Sequence, residues 1–140
     1  MSSRIEHRGA CLCGAVKVTA QTDSTHTEAC HCAMCLKWGS GPFFSVQCNG
    51  GVSFDGEEHI SVFDSSEWAE RGFCRICGTH LFYRLKQEGF YAIPVGILND
   101  ADQWTFTEQI FIDQKPSFYS FANETAKLTG EEVFAKFQSV

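Results

Sequence analysis

The chain has 140 residues, a formal net charge of −6 and 8 cysteines. A chain of this length can bury a core of its own, so we expect a single domain spanning residues 1–140. The acidic charge argues against a nucleic-acid partner, which would require a basic face, and no apolar run approaches the roughly 18 residues that cross a membrane.

The first eight residues lack the apolar segment of a secretory signal, which predicts a cytoplasmic protein. In a reducing compartment, clustered cysteines are more often metal ligands or catalytic groups than disulfides. A fully disulfide-bonded arrangement is the less favoured alternative.

Taken in chain order, the first half of the sequence is typical of short strands. Residues 15–21 alternate between apolar and polar side chains, which predicts a half-buried strand. Residues 22–28 are polar and predict a loop. After a break, residues 43–48 predict a further strand, and Asn49-Gly50-Gly51 predicts a hairpin turn into a strand at 52–54.

The second half continues this pattern until its last residues. We predict strands at 59–63, 80–85, 90–95 and 106–112, and the strand at 80–85 should be central because both of its faces carry apolar residues. Thr129-Gly130-Glu131-Glu132 fits a capping box and predicts a short helix. The expected fold is mainly β with one short C-terminal helix.

The cysteines suggest metal binding. A zinc ion with Zn–S bonds of about 2.3 Å places its sulfur ligands about 3.7 Å apart, a separation that a C-x-x-C turn provides. Gly14 and Gly78 each follow a cysteine pair and can adopt the positive φ that a tight turn requires. Seven of the cysteines form three groups: Cys11 and Cys13; Cys30, Cys32 and Cys35; and Cys74 and Cys77.

We interpret the two outer pairs as one closed zinc site, whose ion would contribute on the order of 10 kcal/mol to folding. The central triplet would hold a second zinc ion with one coordination position left for water or substrate. Spacing alone does not show that the outer pairs meet. It equally allows Cys48, His31, His80 or an acidic residue to complete the second site, which would make both sites structural.

These motifs, with their flanking residues, resemble the glutathione-dependent formaldehyde-activating family, also called the CENP-V/GFA family. The resemblance rests on residues 9–16, Cys30-His31-Cys32-x-x-Cys35 and residues 73–81, and it continues through the Gly96-Ile97-Leu98-Asn99-Asp100 turn and Lys115-Pro116. It therefore covers nearly the whole chain. The motifs are specific for the family and much less specific for one activity.

The resemblance implies an Mss4-like zinc-binding β-sheet fold and carbon–sulfur lyase chemistry. In that chemistry a zinc-bound thiol, glutathione or a similar compound, adds to a small aldehyde such as formaldehyde. The structural zinc ligands that it implies are Cys11, Cys13, Cys74 and Cys77. The catalytic residues that it implies, as ligands of the catalytic zinc, are Cys30, Cys32 and Cys35.

Other functions stay open at this point. A non-catalytic zinc scaffold that binds a protein partner would use two closed zinc sites, and a zinc store or thiol redox sensor would lose its metal on mild oxidation. A homodimer is compatible with a small β-rich domain. The sequence does not identify the natural thiol or aldehyde.

Overall fold

The computed structural model of the chain describes residues 4–87 and 89–138. Residues 1–3, part of the N-terminal segment that lacks a signal pattern, lie outside this range. The chain divides into two units: the first contains the residues up to Thr25 together with Val46–Gln103, and the second contains His26–Ser45 and the residues from Trp104 onward. No helix within the described ranges is long and apolar enough to cross a membrane.

The described residues are mainly β, which confirms the predicted fold class. The helices are α1 (Ala33–Gly39) and α2 (Gly130–Gln138). The strands are β1 (Ile5–Ala10), β2 (Lys17–Thr22), β3 (His26–Cys30), β4 (Phe43–Asn49), β5 (Val52–Asp55), β6 (Ile60–Phe63), β7 (Ala69–Cys74), β8 (His80–Leu85), β9 (Phe90–Pro94), β10 (Thr105–Ile110) and β11 (Ala126–Leu128).

The first unit contains two antiparallel groups of strands. Strand β2 pairs with β1 on one side and with β5 on the other, while β7 pairs with β6 and with β8, and β8 also pairs with β9. Val16, Val18 and Ala20 are buried, as their alternation predicts. Phe82 packs against Phe54 and Tyr91 with ring centroids 5.4 and 5.5 Å apart, which gives this unit an aromatic core.

Two predictions about strand pairing have different outcomes. The strand at 80–85 has the predicted bounds and lies between β7 and β9, so its central position is confirmed. The hairpin at Asn49-Gly50-Gly51 is wrong in its pairing, because β5 pairs with β2. Both glycines adopt positive φ, and the Gln21 N–H donates to the Gly51 carbonyl, so the turn directs β5 to an earlier strand.

In the second unit, β3 pairs in parallel with β10 and antiparallel with β4, and β10 also pairs in parallel with β11. The rings of Phe44, Phe106 and Phe121 meet edge to face, with centroids 5.1–5.5 Å apart. The predicted capping box is confirmed. The Glu132 N–H donates to Thr129 Oγ1 at 3.2 Å, and the Thr129 N–H donates to Glu132 Oε1 at 2.8 Å.

Strand β11 was not predicted, and two further elements of this unit were not predicted either. Strand β3 begins at His26, inside the segment predicted as a loop, because polar residues of a strand can pair as readily as apolar ones. Helix α1 has only seven residues and is capped by a cysteine, so it lacks both the length and the usual capping residue of a recognisable helix. Both elements carry residues of the central cysteine group.

Candidate functional site

The thiols of seven cysteines gather in two clusters, and all eight cysteines are free. We call them the four-thiol cluster and the three-thiol cluster. Within each, the sulfur atoms all lie within 4.8 Å of one another. The four-thiol cluster contains Cys11, Cys13, Cys74 and Cys77, all in the first unit, and the three-thiol cluster contains Cys30, Cys32 and Cys35, all in the second.

The first half of the four-thiol cluster is a turn that follows β1. The Gly14 N–H donates to the Cys11 carbonyl at 3.0 Å, and Gly14 has φ of 82°, as the sequence predicts for this bend. The Val16 N–H donates to Cys11 Sγ at 3.3 Å, so a backbone amide points at the sulfur. The turn therefore orients Cys11 and Cys13 toward each other, with their sulfurs 3.6 Å apart.

The second half is a similar turn at the end of β7. The Gly78 N–H donates to the Cys74 carbonyl at 2.7 Å, and Gly78 has φ of 82°. The Thr79 hydroxyl joins the two turns, since it accepts from the Leu12 N–H at 3.1 Å and lies 3.2 Å from Cys77 Sγ. Hydrogen bonding to Thr79 lowers the pKa of Cys77 to about 5, which favours the thiolate that a metal binds.

The four-thiol cluster fits a zinc ion. Its sulfurs are 3.6 Å apart between Cys11 and Cys13, and 3.8 Å apart between Cys13 and Cys74. A tetrahedral zinc with Zn–S bonds of about 2.3 Å requires sulfur separations of about 3.7 Å. Four sulfur donors in this geometry are typical of zinc or iron–sulfur sites, and hard cations such as calcium and magnesium prefer oxygen ligands.

The three-thiol cluster lies where β3 passes into α1. Cys30 is the last residue of β3, and Cys32 is the N-cap of α1, where its Sγ accepts from the Cys35 N–H at 3.3 Å. Cys35 lies in the first turn of the helix. A side chain from elsewhere supports this junction, because Gln114 Oε1 accepts from the Ala33 N–H at 2.8 Å.

The charge of the three-thiol cluster also favours a cation. Hydrogen bonding to the thiols of Cys32 and Cys35 raises the pKa of the buried Cys30 thiol, because closely spaced sulfurs cannot all ionise unaided. A divalent cation would offset this repulsion and allow all three to bind as thiolates. Among the described residues, no imidazole, carboxylate or further thiol joins the cluster.

The sequence allows His31, His80 or Cys48 as a further ligand, and none of them joins either cluster. His31 is completely buried, with both ring nitrogens hydrogen-bonded to side chains of the second unit, and burial lowers its pKa. His80 begins β8, and burial lowers its pKa as well. Cys48 is buried on β4, and burial raises its pKa to about 11.

Sequence reasoning gave no role to four polar residues that support the clusters. No sequence motif marks Gln109, Gln114 and Tyr119, because each of them acts through a contact with a residue distant along the chain. The Thr79 hydroxyl was the easiest to suspect, since it directly follows the Cys77-Gly78 turn. The four residues are Thr79, Gln109, Gln114 and Tyr119.

Comparison with known proteins identifies the family to which this chain belongs. The family model described as "Glutathione-dependent formaldehyde-activating enzyme" matches residues 6–114. A Schizosaccharomyces pombe protein named as an uncharacterized lyase is 36% identical over 129 residues, which cover 91% of this chain and 94% of the relative. A Podospora anserina protein named for the same family is 29% identical over 123 residues, which cover 81% of this chain and 53% of that protein.

A solved structure shares the fold. It is the crystal structure of a Rhodobacter sphaeroides protein, with a TM-score of 0.58 and 22% sequence identity, and the match covers 71% of this chain and 99% of that one. Because the family model covers more than half of the chain and the yeast relative aligns over nearly its whole length, the family assignment is direct. The chain belongs to the glutathione-dependent formaldehyde-activating enzyme family.

Proposed function

We propose that the chain is a zinc-dependent carbon–sulfur lyase that joins a thiol, glutathione or a similar compound, to a small aldehyde such as formaldehyde. The observation that carries the proposal is the three-thiol cluster, which has one donor fewer than the four-thiol cluster. The relatives support the same class of reaction, since one is named a lyase and another is named for glutathione-dependent formaldehyde activation.

In this proposal the four-thiol cluster holds a structural zinc ion and the three-thiol cluster holds the catalytic one. Structural zinc normally has four protein ligands, whereas catalytic zinc keeps one position for water or substrate. Zinc bound by Cys30, Cys32 and Cys35 would lower the pKa of an entering thiol, which would then be a nucleophile near neutral pH.

The reaction is balanced without an oxidant or reductant. The sulfur of the substrate thiolate attacks the aldehyde carbon, a carbon–sulfur bond forms, and the electron pair of the C=O π bond moves to oxygen. That oxygen takes up a proton equivalent to the one that the thiol lost, which gives an S-hydroxymethyl product from formaldehyde. The reverse reaction breaks the same carbon–sulfur bond, as expected of a lyase.

The chain's own residues prepare the site for this addition. The Cys35 N–H donates to Cys32 Sγ, which stabilises negative charge on that sulfur, and the α1 backbone holds Cys35 one turn away from Cys32. We expect the reaction in the reducing cytoplasm, because the seven proposed metal ligands must stay reduced.

The test is a kinetic comparison of Cys35→Ser with the wild type. The zinc-loaded protein should accelerate the reaction of ¹³C-formaldehyde with glutathione, followed by NMR as formation of the S-hydroxymethyl carbon. Cys35→Ser should lose at least about 100-fold in rate, because it removes a ligand of the reacting metal. It should keep one zinc ion and its folded state. Cys48→Ser, at a buried thiol outside both clusters, is the matched control and should keep its activity.

The result also separates an enzyme from a zinc scaffold. If the wild type binds two zinc ions but leaves the uncatalysed rate unchanged with glutathione and with other small thiols and aldehydes, the lyase proposal fails. An equal loss of rate in Cys35→Ser and Cys48→Ser would also contradict it, since the effect would then follow from general damage to the fold.

A further inference from the structure

His31 separates two members of the three-thiol cluster but gives no ligand atom to it. Its side chain is completely buried in the second unit. Its Nε2 lies 2.8 Å from Gln109 Oε1, and its Nδ1 lies 2.6 Å from the Tyr119 hydroxyl. A buried imidazole with both nitrogens engaged is held in one orientation, because rotating the ring would break two buried hydrogen bonds.

The orientation of the Gln109 side-chain amide decides which atom donates in each of these hydrogen bonds. Gln109 is itself buried, with 2% of its surface exposed. Gln109 Nε2 donates to the Thr125 hydroxyl at 2.9 Å, so the amide oxygen is the atom that faces His31. His31 Nε2 must therefore carry the hydrogen and donate it. Because burial lowers the pKa of His31 and favours the neutral ring, its Nδ1 is then an acceptor, and the Tyr119 hydroxyl donates to it.

The backbone on either side of His31 is held as well. The His31 N–H donates to the Ile110 carbonyl at 3.0 Å, as a continuation of the pairing between β3 and β10. After Cys32, the Ala33 N–H donates to Gln114 Oε1. The segment from Cys30 to Ala33 is thus fixed by backbone contacts at both ends and by the imidazole in the middle.

The geometry of an extended chain explains why the middle contact matters. Consecutive side chains of an extended backbone point to opposite faces, so residues on both sides of a given position share the other face. Cys32 has φ of −62° and ψ of 156°, which is extended. Anchoring the His31 side chain on one face therefore directs Cys30 and Cys32 to the opposite one, where their sulfurs meet that of Cys35.

We propose that His31 is a positioning residue of the three-thiol cluster and that its imidazole, bridging Gln109 and Tyr119, sets Cys30 and Cys32 for one metal ion. The inference rests on the proposed function only in taking that ion to be zinc. We call the hydrogen-bonded side chains of Gln109, His31 and Tyr119 the bridge. Tyr119 belongs to it because its hydroxyl donates its hydrogen to His31.

The test measures zinc affinity without any substrate. Competition with a chelating dye resolves two zinc equivalents, a tight one that we assign to the four-thiol cluster and a weaker one that we assign to the three-thiol cluster. Both are measured in the wild type and in Tyr119→Phe, which loses the hydroxyl but keeps the ring. We expect the weaker equivalent to bind about 10-fold less tightly, as for other residues that orient metal ligands. The tight equivalent should be unchanged. Tyr91→Phe, which removes a hydroxyl that accepts from Arg84 in the first unit, is the matched control and should leave both equivalents unchanged.

A second pair of variants tests the histidine itself. His31→Leu should weaken the second equivalent by about 10-fold or more, and His31→Asn should recover part of that loss, because its Oδ1 can accept from Tyr119 in place of Nδ1. If Tyr119→Phe binds both zinc ions like the wild type, or if Tyr91→Phe shows the same loss, the positioning role is wrong. An inactive wild type with normal zinc affinities would overturn the proposed function and leave this role standing.

Discussion

The two clusters reach similar sulfur geometries in different ways. In the four-thiol cluster, backbone turns with a glycine at positive φ orient the cysteines, and backbone amides and Thr79 complete the support. In the three-thiol cluster, side chains 78 and 88 residues away along the chain hold the residue between two cysteines. Each turn of the four-thiol cluster is thus local, and a contact between residues 67 positions apart joins the two turns. In the three-thiol cluster, the support of the cysteines themselves depends on long-range packing in its unit.

This contrast predicts that the four-thiol cluster contributes far more to stability. Cys74→Ser removes one of four ligands from two turns that are about sixty residues apart in sequence, so it should lose one zinc ion and on the order of 5 kcal/mol or more. Thermal unfolding should shift down by more than about 20 °C. The zinc content and the melting temperature measure both effects.

Cys32→Ser in the three-thiol cluster is the counterpart of that variant. It should also lose one zinc ion, but its melting temperature should fall much less, because no fourth ligand from the described part of the chain joins this cluster. Equal shifts in the two variants would show that the clusters do not differ in this respect.

A steric prediction concerns the strand that leads into the four-thiol cluster. Gly9 lies so close to Ile97 that a Cβ at this position would be 1.9 Å from the Ile97 carbonyl oxygen. Gly9→Ala should therefore cost about 1–3 kcal/mol in free energy of unfolding through overpacking. Gly96→Ala is the control, since a Cβ there meets nothing within 4 Å. Denaturant unfolding that shifts equally in both variants would contradict the explanation.

In the second unit, the capping box of α2 should contribute less. Thr129→Ala removes the side-chain oxygen that accepts from the Glu132 N–H, which should cost about 1 kcal/mol of unfolding free energy. Glu132→Gln replaces the carboxylate oxygen with an amide oxygen that can still accept from the Thr129 N–H, so its free energy of unfolding should stay close to that of the wild type. A larger loss in Glu132→Gln than in Thr129→Ala would mean that the charge of Glu132, rather than the box, stabilises this end of the helix.

The smallest effect should be a pH dependence from His7 in the first unit. His7 is buried beside Thr22, and burial lowers its pKa. As the pH falls through about 6.5, the unfolded chain takes up a proton that folded His7 does not. Protonation then favours unfolding, so the stability present above this pH is progressively lost below it, by at most about 1.4 kcal/mol per pH unit.

His7→Gln isolates this contribution. Acid also protonates the thiols of the two clusters, but it does so equally in wild type and variant, so the difference between their slopes reports on His7. The unfolding free energy of His7→Gln should fall less steeply between pH 7.5 and pH 5.5. Parallel slopes would exclude His7 as a source of the acid sensitivity.

The same contrast between local and long-range structure explains what the sequence could predict. The alternation of residues 15–21, the apolar faces of β8 and the capping box are local patterns, and each marks a real element. The turn at Gly50 and Gly51 was also recognisable, but no local signal says that the strand after it pairs with β2 instead of β4. Pairing depends on which surfaces are complementary in the folded chain.

The candidate site follows the same division. Cysteine spacing and the glycines after Cys13 and Cys77 were sufficient to predict the turns of the four-thiol cluster. The bridge behind the three-thiol cluster was not visible, because Gln109 is an unremarkable polar residue of a strand and Tyr119 lies in an irregular segment. A residue that acts by holding another residue leaves no spacing pattern in a single sequence.

Metal spectroscopy tests whether the three-thiol cluster admits a substrate thiol and the four-thiol cluster does not. The tight site is filled with zinc and the weaker one with cobalt, and the thiolate-to-cobalt charge-transfer absorption is recorded as glutathione is added. We expect an increase and shift of this absorption, because a fourth thiolate enters the cobalt coordination sphere, and no change when cobalt occupies the tight site. An absorption at the weaker site that stays constant up to saturating glutathione would contradict this expectation.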